Sequence, residues 1–343
     1  MQESNNLEKA YELLLLKQDQ QGQQARNVSA CVSRSDIGLT SSLGTIVLSR
    51  TLRNGSFGTV YSCIYNGDRS SYCAKKVKYD HDHYNREIAI LRSVRDNPNE
   101  NVIEMIDYSV SEENGENYYT IIMPKFQLSL KDLMQTGSLY DTESIARDIL
   151  QGLHHLHRMN IMHRDIKPDN ILVSTNKTAV ICDLGSAKQF GSGIVHTSYV
   201  CTRWYRAPEL ILLATKYDGA VDIWACGCVI IELICKKVAF KAVDSIGQLC
   251  CIFKSLGIPT ENEIYEFNDE LDPLIINRVQ KQHAHVGLRK CVQRLLFPRT
   301  THTNSNLVEL ICGCLQYSPS KRNRFVRSAI SSKHKAENDN IKR

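Results

Sequence analysis

The apolar pattern of this chain changes period once, near Gln127, and that change limits the folds open to it. Before Gln127 the runs are short and β-rich: Thr45-Ile46-Val47-Leu48, Thr59-Val60-Tyr61 and Tyr72-Cys73-Ala74. Two longer apolar runs, Val102–Tyr108 and Tyr118–Met123, flank a polar, hairpin-like Ser111–Glu116 segment. One stretch, Asp82–Arg95, has helical spacing, with Ile88, Leu91 and Val94 on one face. After Gln127 helical periodicity dominates, as in Thr142–Met159 and Val221–Cys235. The expectation is an α+β chain: a small β-rich lobe with one helix at 45–126 and a larger, mainly α-helical lobe at 127–330. Residues 1–44, rich in Gln, Ser and Asn, read as a disordered tail with one short helix over Leu7–Lys17. Residues 331–343 read as a polar C-terminal tail.

Composition narrows the function classes. The chain has 42 Lys and Arg against 37 Asp and Glu, a net charge of +5, too mild for an obligate nucleic-acid binder. Its basic residues at Arg278, Lys281, Arg289 and Lys290 lack an aromatic platform, so no nucleic-acid partner is expected. No apolar run approaches the roughly 18 residues that span a bilayer, so no membrane association is expected either. The first residues carry no basic and apolar secretory pattern, and the 13 cysteines are scattered with no C-x-x-C pair. Free thiols in a reducing compartment, cytoplasmic or nuclear, are therefore expected. The pairs His81/His83 and His283/His285 have no cysteine at ligand spacing, so no structural metal is expected.

The most specific segment is His163-Arg164-Asp165-Ile166-Lys167-Pro168-Asp169-Asn170. It resembles the catalytic loop H-R-D-x-x-x-x-N of eukaryotic protein kinases. Asp183-Leu184-Gly185, after the β-type run Ala179-Val180-Ile181-Cys182, is similar to the family's Asp-Phe-Gly, with Leu184 in place of Phe. Arg53-Asn54-Gly55-Ser56-Phe57-Gly58-Thr59-Val60 resembles the glycine-rich loop, with Arg53 where the first glycine usually stands. Cys73-Ala74-Lys75 resembles the strand that carries the phosphate-pairing lysine, with Cys73 where an alanine usually meets the adenine ring. These motifs occur in order over roughly residues 46–330 and are followed by Ala207-Pro208-Glu209.

The resemblance implies the bilobal protein-kinase fold and transfer of the γ-phosphate of Mg-ATP to protein Ser or Thr hydroxyls. It assigns Asp165 to accept the substrate hydroxyl proton, Lys167 to neutralise the transferring phosphoryl group, and Asn170 and Asp183 to bind Mg²⁺ through oxygen. Gly55 and Gly58 would let backbone N–H groups approach the phosphates. Lys75 would pair the phosphates, with Glu87 as its ion-pair partner. Met123 would be gatekeeper, the Pro124 C=O and Phe126 N–H would meet the adenine edge, and Val60 and Leu172 would close the pocket above and below. Glu209 and Arg322 would form a buried structural ion pair. A scaffold that keeps the fold without catalysis is the alternative, favoured by Arg53 and Leu184 and disfavoured by retention of Lys75, Glu87, Asp165, Asn170 and Asp183.

Cys201-Thr202-Arg203-Trp204-Tyr205-Arg206-Ala207-Pro208-Glu209 resembles the CMGC group. Within it, Cys182–Gln189 and Ser198-Tyr199-Val200-Cys201 look most like glycogen synthase kinase 3, whereas Thr197-Ser198-Tyr199 also resembles the T-x-Y of mitogen-activated kinases. Phe240-Lys241-Ala242 departs from the group's usual Phe-Pro-Gly. In this group the equivalents of Arg86, Arg164 and Lys188 converge on a phosphate. That phosphate is either the enzyme's own, at Thr197, or one already on the substrate. Tyr199 is expected to be autophosphorylated or held near this cluster. Thr202 is expected near Asp165 and Lys167, and Arg206 beside the pocket after the phosphoacceptor. Substrates are then expected to be proline-directed or phosphate-primed, and a regulatory or scaffold protein is a conceivable partner.

Overall fold

The computed structural model describes residues 46–55, 58–68, 71–79, 81–191, 203–267, 288–296 and 305–329, with the backbone alone described at 81–85. The expectations for the two tails, for Ser56 and Phe57, and for Thr197, Tyr199 and Thr202 lie outside those residues.

Five antiparallel strands open the fold: β1 (Ile46–Gly55), β2 (Gly58–Tyr65), β3 (Tyr72–Lys78), β4 (Asp107–Glu113) and β5 (Glu116–Pro124), in spatial order β1-β2-β3-β5-β4. One helix, α1 (His81–Asp96), covers this sheet. Ile88, Leu91 and Val94 are all buried, packed with Met105, Tyr119 and Ile121. Leu184 and Ala187, from the second half of the chain, complete the same cluster. Burial of such side chains stabilises by about 1.5–3 kcal/mol each, so the seating of α1 depends on both halves.

The polar Ser111–Glu116 segment is a hairpin, as its pattern suggests, with β4 and β5 paired up to Glu113 and Glu116. Only Asn114 and Gly115 turn, both with positive φ (54° and 76°), the geometry of a two-residue hairpin. β4 is an edge strand with one face to water, so polar residues suit it. The run Val102–Tyr108, in contrast, joins the sheet only from Asp107. Its first half passes between the lobes, where the Ile103 N–H donates to the Ile181 carbonyl (2.8 Å) and the Ile181 N–H to the Asn101 carbonyl (2.8 Å). Enclosure from both sides explains why Val102, Ile103 and Met105 are apolar and buried, while Glu104 between them turns to solvent.

The second lobe is helical. It runs through β6 (Leu128–Ser129), α2 (Leu130–Gln135), α3 (Thr142–Arg158), β7 (Ile161–Met162), β8 (Ile171–Val173), β9 (Ala179–Ile181) and β10 (Lys188–Gln189). Then come α4 (Pro208–Ile211), α5 (Ala220–Cys235), α6 (Ser245–Leu256), α7 (Glu261–Phe267), α8 (Leu288–Leu296), α9 (Ser305–Cys314) and a helical run at 319–329. Ser129 starts α2 with a reciprocal capping box to Asp132, and the Asp141 side chain caps α3 by accepting from Glu143 N–H. α5 is apolar nearly all round and buried on nearly every face, which makes it the axis of the lobe. Its Trp224 lies fully buried between Phe240 and Tyr317, at ring separations of 6.2 and 6.0 Å. α3 approaches the interlobe segment so closely that a Cβ on Gly152 would lie 2.6 Å from the Asn101 carbonyl oxygen.

Two small sheets, β6-β8-β9 and β7-β10, hold the ends of residues 163–170. That segment lies below the first sheet.

Candidate active site

Lys75 lies in the middle of β3, opposite Val60 on β2 and Ile121 on β5. Its Nζ donates to Glu87 Oε1 on α1 (2.7 Å) and to Asp183 Oδ1 after β9 (2.8 Å). The Tyr119 hydroxyl donates to the other Glu87 oxygen (2.8 Å), so both carboxylate oxygens are engaged. Lys75 is only 6% exposed, which on its own would lower its pKa. The carboxylates of Glu87 and Asp183 outweigh that burial and raise it. Burial likewise pushes Asp183 upward, and the Lys75 ammonium more than reverses this, leaving its pKa below the usual carboxylate range. Asp183 has a left-handed backbone (φ 62°), a conformation uncommon outside glycine that turns the chain sharply as it leaves β9.

The loop after β7 is fixed from beneath by Asp222 on α5. Asp222 accepts from the backbone N–H of His163 (2.8 Å) and Arg164 (2.7 Å), and His157 Nε2 lies 2.9 Å away. Burial pushes the Asp222 carboxyl upward, but the hydrogen bond from His157 and these backbone donors hold it below its usual range. His163 donates from Nε2 to the Cys182 carbonyl (2.8 Å) and accepts on Nδ1 from the Asp165 N–H (3.2 Å), tying the loop to the segment before Asp183. Arg164 has φ 68°; this strained backbone accompanies the two bonds to Asp222.

Above that anchor, Lys167 Nζ donates to Asp165 Oδ2 (2.6 Å), and Asn170 Nδ2 donates to Asp165 O and Oδ2 (both 2.9 Å). Asn170 spends its amide nitrogen on Asp165. Its carbonyl oxygen and the second Asp183 oxygen are thus an all-oxygen donor set, which suits a hard cation such as Mg²⁺. The residues present fit Mg-ATP on this chemistry.

Val60 and Cys73 lie on β2 and β3 and Leu172 on β8, above and below the opening between the lobes. Cys73 faces the chain connection, its Sγ 3.6 Å from the Pro124 carbonyl oxygen. Burial pushes the Cys73 thiol up to about 12 and raises Cys182 further, so both stay protonated. Pro124 and Phe126 also border a cavity of about 350 Å³ shared with Pro98, Glu100 and Val102. Gly58 has φ 139°, and a Cβ there would lie 2.5 Å from the Lys76 carbonyl oxygen, so the hairpin after Gly55 requires glycine at that position.

Lys188 on β10 pairs with Met162 on β7, next to the 163–170 loop. The Nε atoms of Arg86 and Arg164 are buried with no hydrogen-bond partner among the described residues. Burial, then the charges of Arg164 and Arg86, lower the Lys188 pKa. Three cations thus converge, and among the described residues none forms an ion pair with a carboxylate.

Several partners were not evident from the sequence: Asp222 beneath the loop, Tyr119 behind Glu87, and an ion pair between Arg53 and Asp169. Asp222 was visible only as the start of a helix; the other two had no sequence signal.

The protein kinase domain model matches residues 46–333. The chain belongs to the protein kinase family. Among curated proteins it is 35% identical over 273 residues to a probable serine/threonine-protein kinase MRK1 homolog of Encephalitozoon cuniculi, covering 78% of this chain and 80% of that protein. It is 31% identical over 277 residues to glycogen synthase kinase 1 of Pyricularia oryzae, covering 78% of this chain and 67% of the other. The two-lobed α+β architecture is the kinase fold, and the chain is a protein serine/threonine kinase of glycogen-synthase-kinase-like, CMGC type. The family implies ATP-dependent phosphoryl transfer to protein substrates. Among the described residues no helix is long and apolar enough to cross a membrane.

Proposed function

We propose that this kinase phosphorylates Ser or Thr in substrates that already carry a phosphate, which docks on Arg86, Arg164 and Lys188. The convergence of those three cations, with the Nε atoms of Arg86 and Arg164 buried and without a hydrogen-bond acceptor among the described residues, carries the reading. Buried donors without acceptors are costly, about 1–3 kcal/mol each and more when charged. A dianionic phosphate relieves that cost with charge-assisted bonds. The same site accepts a phosphate on Thr197 of the chain itself, and proline after the acceptor is the further preference the sequence suggests.

Mg-ATP, when bound, supplies the phosphoryl donor and the charge that offsets its oxygens. Lys75 orients phosphate oxygens, and Glu87 holds Lys75 in place through a bond that Tyr119 braces. Asp165 receives the acceptor hydroxyl's hydrogen bond and aims its oxygen. Its contribution is orientation of the attacking oxygen more than proton removal. Lys167, 2.6 Å from Asp165, keeps that carboxylate in place and adds positive charge where negative charge builds up. Asn170 and Asp183 would hold the metal through their side-chain oxygens.

The test is ADP release on paired peptides, with and without a phosphoserine C-terminal to the acceptor, alongside phosphosite mapping of the purified chain. Wild type should prefer the primed peptide by at least about tenfold, the scale of one lost charge-assisted contact. Lys188→Ala should erase the preference and keep turnover on the unprimed peptide. Asp165→Asn should lower turnover on both by about 10²–10⁴-fold. Equal turnover with and without the primed phosphate refutes the docking role, and equal turnover by wild type and Asp165→Asn refutes catalysis and favours the scaffold.

A further inference from the structure

Arg53 replaces the first glycine of the glycine-rich loop, and its side chain does not point idly into solvent. It lies on β1 directly opposite Val60, in the roof of the cleft. Its Nη1 donates to the Asp169 carbonyl oxygen (2.8 Å) and its Nη2 to Asp169 Oδ1 (2.6 Å). Asp169 belongs to the floor: it is in the short turn Pro168–Asn170, between Lys167 and Asn170. Lys131 Nζ, also from the lower lobe, reaches the same Oδ1 at 3.0 Å. The contact spans 116 residues of sequence and is, among the described residues, a second roof-to-floor ion pair of the cleft. The inner one is Lys75–Asp183.

We propose that Arg53 is a positioning residue that straps the glycine-rich hairpin to the catalytic loop across the mouth of the cleft, and so slows nucleotide release. This rests on the reading that the cleft binds nucleotide. The planar guanidinium grips one residue at two acceptor atoms, a geometry that lysine cannot reproduce and glycine cannot supply. A nucleotide held between the inner pair and the strap leaves only when the hairpin lifts, and lifting breaks both bonds to Asp169. With glycine at this position the hairpin lifts without that penalty. The Arg53 side chain is 45% exposed and Asp169 24%, so the strap is a modest, salt-sensitive brake rather than a lock.

The experiment is stopped-flow release of a fluorescent N-methylanthraniloyl-ADP from the full chain with Mg²⁺, for wild type, Arg53→Gly, Arg53→Lys, Asp169→Asn and the Arg53→Gly/Asp169→Asn double variant. Exposed ion pairs of this kind correspond to about two- to fivefold in rate. Arg53→Gly should speed release by that factor, Asp169→Asn, which loses the charge but keeps both acceptor atoms, by part of it, and the double variant no more than Arg53→Gly. Arg53→Lys should fall between. Raising salt should bring the wild-type rate up toward that of Arg53→Gly, whose own rate should hardly respond. Lys131→Ala should leave release near wild type, because Lys131 and Asp169 lie in the same lobe. Additive single effects, unchanged release in Arg53→Gly, or acceleration by Lys131→Ala equal to that of Arg53→Gly would each overturn the strap. Tight wild-type binding with Arg53→Gly weakened and Asp169→Asn unaffected would overturn it too, placing Arg53 directly on the nucleotide. If wild type bound no nucleotide, the cleft reading would fall together with the strap; binding with unmoved release sinks the strap alone.

Discussion

Glu209 and Arg322, 113 residues apart, form an ion pair with both side chains essentially out of reach of water (1% and 0% exposed). Arg322 also donates from Nη1 to the Gln316 carbonyl (2.8 Å) and lies over the Trp224 ring (5.6 Å). The pair ties α4, at the end of the Ala207-Pro208-Glu209 segment, to the helical run at 319–329. Replacing Arg322 by Met keeps most of the volume and leaves Glu209 as a buried carboxylate with no cation. Such an uncompensated charge costs about 3–5 kcal/mol, a large part of a typical stability of about 5–15 kcal/mol. Burial already pushes the Glu209 pKa upward despite its partner, and without Arg322 it rises further. A carboxyl with a raised folded-state pKa is destabilising above that pKa, and the effect fades as pH falls toward the unfolded value of about 4.3. Arg322→Met should therefore lose about 3–5 kcal/mol at pH 8 and clearly less at pH 5, read from urea unfolding by circular dichroism against wild type at each pH. The double variant Arg322→Met/Glu209→Leu removes both charges and should recover most of the loss. A loss below about 1 kcal/mol at pH 8, a loss independent of pH, or a double variant no better than the single would refute the argument.

Lys75→Met leaves Glu87 and Asp183 facing each other without a cation, so single-turnover phosphorylation should fall by at least about 10²-fold, and Lys75→Arg should not restore it, since its fork is built for different distances. Gly152→Ala drives a Cβ to 2.6 Å from a backbone carbonyl that has no side-chain freedom to yield; it should cost about 1–3 kcal/mol in urea unfolding, whereas an alanine at an open helix position would be neutral or stabilising. Asp222, held below its ordinary pKa mainly against burial by the His157 bond, contributes stability that is present above the unfolded carboxylate value of about 3.9 and is lost as pH falls through its folded value. The stability gap between wild type and Asp222→Asn should therefore close as pH falls below about 4, as followed by circular dichroism.

Local chemistry made much of this site legible. Asp165, Lys167 and Asn170 lie within six residues of each other in sequence, and a single turn brings them to within 2.6–2.9 Å. Helix α1 was legible because its apolar residues recur at helical spacing and a helix forms from local bonds alone. The Ser111–Glu116 hairpin was legible because a short polar break between two apolar runs suits an exposed edge and a two-residue turn. The place of the Val102–Ile106 segment was not legible, because enclosure between two lobes and burial in a sheet favour the same residue types.

Contacts between residues far apart in the chain were invisible for a further reason. Lys75–Asp183 spans 108 residues, Glu209–Arg322 113 and Arg53–Asp169 116. No period or spacing rule reaches that far; only the folded topology decides which charge meets which. Where a family pattern existed, as for Lys75 and for Glu209 with Arg322, resemblance bridged the gap. Where the chain departs from the pattern, as at Arg53, resemblance could only mark a missing glycine. The structure shows what took its place: a guanidinium with two acceptors on the opposite side of the cleft. A loop that gives up one glycine loses backbone freedom at that point, and here the lost freedom coincides with a new bond to the catalytic loop. Both changes act in the same direction, toward a roof that opens less readily, so the departure is better explained as a change in how the cleft opens than as decay of a nucleotide site whose Lys75, Glu87 and Asp183 remain joined.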